Sequence, residues 1–186
     1  MFMNSKKPLH IAVKIFNLVL LAAALVGCVY IVLMTGVDPD RKIFAGLAFL
    51  AVVSAFVYLI AGGKKSDAVF FKTFAIAFAV SEFVTAAGMM IDNVAPVYIV
   101  LNGISVILAL IIAAKNDLGK VNSFVFCGVI FAVKALGAIQ TVPNAFSGEE
   151  MDLYIAIRAC TQLFMASALG ISTYFKYLDK ASRGSK

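Results

Sequence analysis

Runs of about 20 apolar residues recur from one end of this 186-residue chain to the other. A run of that length, wound as a helix, spans the roughly 30 Å hydrocarbon core of a bilayer. A water-soluble fold of this size cannot hide so much apolar surface. Of the residues, 62% are hydrophobic and 14% charged, against about 45–50% and 25% in a soluble domain. The fold class that follows is an all-α integral membrane protein with essentially no soluble domain.

Polar interruptions divide the chain. A basic leader, residues 1–14, carries Lys6, Lys7 and Lys14 ahead of a first apolar run from Ile15 to about Gly36. Leader and run have the order of a secretory signal, and Leu25-Val26-Gly27-Cys28 has the shape of a lipobox. The hydrophobicity continues through Val29 to Met34, where a cleaved chain turns polar, so a retained first helix is expected. Asp38, Pro39, Asp40 and Arg41 are turn and helix-start signals. A second run, Ile43 to Ala61, ends at Gly62-Gly63, as helices often do, and Lys64, Lys65 and Asp67 make the next turn. From Val69 to Ala114 the chain is apolar for long enough to cross twice, with Asp92, Asn93 and Pro96 supplying the break. Lys115, Asn116, Asp117, Gly119 and Lys120 precede a fifth helix, Val121 to about Val142. Residues 143–150 are a polar connector, and a sixth helix starts near Met151. The expectation is one six-helix transmembrane domain over residues 15–178, followed by a basic tail, residues 179–186.

Charge orients this bundle. With the N-terminus cytoplasmic, twelve basic residues fall on the inner side: Lys6, Lys7, Lys14, Lys64, Lys65, Lys72, Lys115, Lys120, Lys176, Lys180, Arg183 and Lys186. Only Arg41 and Lys42 fall on the outer side, where Asp38 and Asp40 offset them, and the last outer connector carries Glu149, Glu150 and Asp152. That bias places both termini in the cytoplasm and the protein in the plasma (cytoplasmic) membrane. The net charge of +6 is scattered in these short clusters rather than gathered in one patch, so no nucleic acid partner is expected; the bilayer is the partner.

Three ionisable residues belong to no loop: Glu82, Lys134 and Arg158. Each costs about 2.5–3.5 kcal/mol at mid-membrane on insertion scales, so they must face one another, a cavity or water. At about 1.5 Å per residue, Arg158 lies about 9 Å below Asp152, Lys134 about 13 Å below Pro143 and Glu82 about 15 Å below Asp92. Asn102 and Gln162 fall in the same layer. Residues three, four and seven apart share a helix face, which groups Tyr154, Arg158, Thr161, Gln162 and Met165 on one stripe and Tyr98, Asn102 and Ser105 on another.

Two readings of this layer compete. In one, Glu82 pairs with Lys134 or Arg158, and the polar cluster only fixes helix order. In the other, the layer lines an outward-facing pocket in which two cations against one carboxylate leave a surplus positive charge for a bound anion. Arg158 is then the clamp for a carboxylate or phosphate. Lys134 supplies a second donor or pairs with Glu82. Tyr98 and Tyr154 cover an apolar or ring-bearing part of a small anionic or zwitterionic metabolite, with Asn102 and Gln162 completing the ligand-binding set.

Catalysis is less well supported. The chain has no GxxxxGK[ST] phosphate loop, and its single histidine, His10, lies in the leader, so neither a His-ligated metal nor a haem site is expected in the membrane. Cys28, Cys127 and Cys160 lack CxxC spacing and read as buried free thiols. No cofactor, metal or catalytic residue is expected, although a Glu–Lys pair acting as acid and base on a lipid stays open. The size, six helices, cytoplasmic termini and outer-half pocket together resemble the substrate-binding S components of energy-coupling-factor vitamin transporters. That resemblance implies a small water-soluble ligand and an energising partner module, met through small residues of the first helix such as Ala23 and Gly27.

Overall fold

The computed structural model describes residues 6–61, 67–92, 94–115 and 118–184, with side chains described over 11–39, 41–61, 69–92, 94–115 and 118–177. The glycine and lysine pairs of residues 62–65, Asn93, Asn116, Asp117 and Lys186 lie outside the described residues. So do the side chains of Lys6, Lys7, His10, Asp40, Asp67, Lys180 and Arg183.

Six α-helices account for nearly all of the described residues: α1 (Lys6–Leu33), α2 (Ile43–Ala61), α3 (Lys72–Ile91), α4 (Pro96–Ala114), α5 (Lys120–Thr141) and α6 (Glu150–Gly184). No strand occurs among the described residues. Each helix is long and apolar enough to cross a membrane, so the chain has the build of a multi-pass membrane protein. Two boundaries differ from those expected. Helix α1 takes in the leader from Lys6, because Pro8 falls in the first turn, where a missing N–H costs nothing. Helix α6 runs through the tail to Gly184. At 28 and 35 residues these helices are roughly 42 and 52 Å long, so their charged ends extend beyond a 30 Å apolar layer.

Successive helices pack side by side from α1 to α6, and α6 closes the ring onto α1. Helix α6 also touches α2 and α3, which places it near the middle of the bundle. Half of the apolar window is buried in α2, α3 and α6, but 28% in α1 and α4 and 22% in α5; the peripheral helices therefore leave most of their surface to lipid. On α2 the buried positions Ala45, Ala48, Ala51, Val52, Ala55 and Tyr58 repeat at three- and four-residue intervals, one face of a helix. Ile43, Phe49, Leu50 and Val53 are exposed on the rest. Small residues on the buried face let α2 and α3 approach closely, where burial of one apolar side chain against another adds little that lipid does not already supply. Hydroxyls within the helices bond back to their own turns: Thr161 to the Ile157 carbonyl, Ser167 to that of Leu163 and Thr173 to that of Leu169, each at 2.8 Å. Such bonds satisfy polar groups in an apolar layer without a partner helix.

Short connectors join the helices. Residues Pro39–Lys42 form a 3-10 turn, and Asp67–Phe71 a π turn that runs straight into α3. Lys42 donates to the carbonyls of Val32 and Met34, so it caps the carbonyl end of α1, a favourable place for a cation. At Gly119, φ is +73°, a conformation that glycine adopts without steric penalty as the chain turns into α5.

Helices α1 and α6 approach closely at Gly27. A methyl group placed on Gly27 would overlap Thr161 Oγ1 and lie 3.5 Å from Thr161 Cβ and 3.7 Å from Ile157 Cγ2. That hydroxyl is held by its bond to Ile157, so it cannot swing away freely. Gly27→Ala is expected to lower stability by about 1–3 kcal/mol, the range for overpacking, and Thr161→Ala in the same chain to recover most of the loss. Unfolding of the detergent-solubilised variants measures this; a Gly27→Ala protein that unfolds with the wild type shows that the two helices stand apart.

Candidate functional site

The polar layer resolves into two groups that face different sides of the bundle. The first lies between α3, α4 and α5. Glu82 is fully buried and Lys134 is 4% exposed; the two form an ion pair through Nζ and Oε2. Lys134 Nζ also donates to Asn102 Oδ1. Asn102 Nδ2 in turn donates to the Tyr98 carbonyl at 2.8 Å and lies 3.4 Å from Met89 Sδ. One ammonium thus binds groups from two other helices. A buried charge is tolerable only when paired; the ammonium is both paired and hydrogen-bonded, whereas Glu82 is held by the ion pair and its Oε1 has no hydrogen-bond partner among the described residues. Helix α6 joins the same layer through Gln162, whose Nε2 donates to Thr85 Oγ1 at 2.8 Å, while Thr85 Oγ1 donates to the Ser81 carbonyl at 3.0 Å.

Arg158 belongs to the second group. It is half-buried and its charge reaches Glu82 electrostatically, but no carboxylate lies within 4.0 Å of it among the described residues. Nη1 donates to the Tyr154 hydroxyl at a long 3.4 Å, and the guanidinium carbon stands 5.2 Å from the Tyr154 ring centre, a cation–π contact. Tyr154 is 1% exposed and its hydroxyl donates to the Arg41 carbonyl at 2.9 Å. That bond fixes the ring and ties α6 to the turn before α2.

Tyr154 and Arg158 face a cleft of about 450 Å³ between α2, α3 and α6, within the usual range for small-molecule sites. Val84, Ala87 and Ile91 of α3 and Phe44 of α2 form its apolar wall, and Asp38, Arg41 and Asp92 surround its mouth. Across that mouth the Arg41 fork grips Asp92 through two bonds, Nη1 to Oδ2 at 2.9 Å and Nη2 to Oδ1 at 2.8 Å. The Asp92 hydrogen bond pushes the Arg41 guanidinium above its already high ordinary value. Its side chains are 31% and 35% exposed, and a pair so open to water contributes no more than about 1 kcal/mol. The pair can therefore open at little cost.

No known family, curated protein or solved structure matches the chain.

Of the seven residues expected to bind a ligand, the structure brings Glu82, Lys134 and Asn102 together, with Gln162 bonded to the same layer, and sets Tyr154 and Arg158 on the cleft. Tyr98 contributes its backbone carbonyl to Asn102; its ring is not among the groups facing the cleft. Sequence reasoning did not find Arg41 and Asp92 as a pair, nor Thr85 as the partner of Gln162. Arg41 and Asp92 lie 51 residues apart in two connectors, where no periodicity reports who meets whom. Thr85 lies three residues beyond Glu82 on α3, and that spacing is the signal that points to it.

Proposed function

We propose that this chain is a transport protein, or the substrate-binding subunit of one, that takes a small anionic or zwitterionic metabolite into the cleft above Arg158. The observation that carries the proposal is the arginine itself. A guanidinium in an apolar layer, without a carboxylate partner among the described residues and facing a cavity of ligand size, is a charge whose neutralising group comes from outside the chain. Its planar fork suits two oxygens of a carboxylate or phosphate, with the Tyr154 hydroxyl beside it.

Within this reading Glu82, Lys134 and Asn102 hold α3, α4 and α5 in register, and the ligand meets Arg158 and Tyr154. The charge bias of the connectors supports a cleft that opens outward, with both termini on the cytoplasmic side of the plasma membrane. With no phosphate-loop motif in the sequence, uptake draws its energy from an ion gradient or from a separate membrane partner, as in the S-component arrangement.

Thermal unfolding of the detergent-purified protein against a panel of small carboxylates, phosphates and zwitterions tests the proposal. A compound that binds the folded state at 100 times its Kd stabilises by about 2.7 kcal/mol, a readily measured rise in midpoint. A wild type that no member of the panel moves speaks for a purely structural polar layer.

A further inference from the structure

The cleft separates its charges. Its floor carries Arg158, a cation with no ion-pair partner among the described residues. Its mouth carries Asp38, Arg41 and Asp92, of which Arg41 and Asp92 neutralise each other. Asp38 is exposed and close enough for its charge to act on Arg41, yet it forms no ion pair among the described residues. Counted over the described residues, the site is therefore bipolar, positive at depth and negative at the opening.

The surface around the mouth has the same sign. Arg41 also contacts Met151, and Glu150 abuts Gly36, so the connectors before α2, after α3 and before α6 meet at one end of the bundle. Among the described side chains of that end, Asp38, Asp92, Glu149, Glu150 and Asp152 oppose Arg41 and Lys42. A surface potential of this sign repels anions and attracts cations over distances near the Debye length, about 8–10 Å at ordinary ionic strength. A simple anion would have to cross a negative rim to reach Arg158. A molecule carrying a cation at its trailing end would not be repelled.

Resting on the reading of the cleft as a binding site, we propose that its ligand is a zwitterion. Its carboxylate or phosphate sits on Arg158, an apolar spacer lies against Val84 and Ala87, and its ammonium group sits at the mouth beside Asp38. From Val84 to Asp92, the residue that follows α3, the wall rises by eight residue steps, roughly 12 Å, which sets the reach of the extended molecule.

Matched pairs that differ only in the ammonium group test this: 6-aminohexanoate with hexanoate, 8-aminooctanoate with octanoate, and phosphoethanolamine with ethyl phosphate. Affinities are measured by titration calorimetry at low salt for wild type, Asp38→Asn and Arg158→Met. Asp38 is exposed and makes no side-chain bond, so its variant keeps the fold. In at least one pair the zwitterion is expected to bind the wild type about threefold or more tightly than its deaminated partner. Asp38→Asn is expected to weaken the zwitterion about two- to fivefold, the range for an exposed charge pair, and to leave the anion unchanged or tighter. Arg158→Met abolishes both. A further arm offers the ethanolamine phosphate head on a diacyl lipid in mixed micelles beside its glycerol phosphate counterpart; a preference for the former in the wild type that Asp38→Asn removes identifies a lipid-borne zwitterion. Anions that bind the wild type as tightly as their parents, or an Asp38→Asn variant that weakens both members alike, overturn the zwitterion assignment and leave the site standing. A wild type that binds neither member of any pair, free or lipid-borne, removes the site itself.

Discussion

Replacing Lys134 with methionine is expected to destabilise the protein by about 3–5 kcal/mol, the usual penalty for removing one partner of a buried ion pair. The change leaves Glu82, which is fully buried, without its cation, and it removes the donor to Asn102 Oδ1. Methionine keeps the length and apolar stem of lysine, so packing loss does not explain the effect. Changing Glu82 to glutamine in the same chain removes the stranded charge and is expected to recover most of the stability, because replacing both members of a buried pair is often close to neutral. Chemical unfolding of the single and double variants in detergent gives the coupling directly. If the Lys134→Met chain unfolds at the wild-type midpoint, the ion pair does not hold α3 to α5.

Replacing Arg158 has the opposite expected sign. Arginine near mid-membrane costs about 2.5–3.5 kcal/mol on insertion scales, and Arg158 recovers part of that through Tyr154 and the more distant charge of Glu82. Methionine in its place keeps the stem and removes the cost. The unliganded variant is therefore expected to be as stable as the wild type, or more stable by on the order of 1 kcal/mol, a fraction of that insertion cost. Its response to ligand is expected to vanish. A residue that lowers stability in the empty protein and is required for binding is the signature of a site held ready for a charge from outside. Two cations of one polar layer thus have opposite expected effects on stability, and the difference lies in whether a described carboxylate stands within ion-pair distance.

Much of this was legible in the sequence, and what was not has a physical reason. Each of the six helices is where an apolar run of membrane length lies, because hydrocarbon leaves the backbone no other way to satisfy its hydrogen bonds. The ends of α1 and α6 were harder to place: beyond the apolar layer the end of a helix is set by its caps instead of by hydrophobicity, and Pro8 in a first turn stops nothing. Depth was also legible. The 1.5 Å rise put Glu82, Lys134 and Asn102 at one level, and they are bonded there. What rise and period do not report is which neighbour a helix face meets. Arg158 and Gln162 are one turn apart on α6, yet Gln162 bonds to Thr85 on α3 while Arg158 faces the cleft beside α2. Nor does periodicity reach the connectors, so the Arg41–Asp92 pair that closes the cleft, and the acidic rim around it, emerge only once the three connectors are seen to meet.

The most direct test of Arg158 as the ligand's charge partner is paired thermal unfolding of wild type and Arg158→Met, each with and without a zwitterion or anion that moves the wild type. The expected result is an unliganded variant that melts no lower than the wild type and a ligand-induced rise present in the wild type alone. A variant that melts several degrees lower while still rising with ligand would contradict it and make Arg158 part of the structural framework.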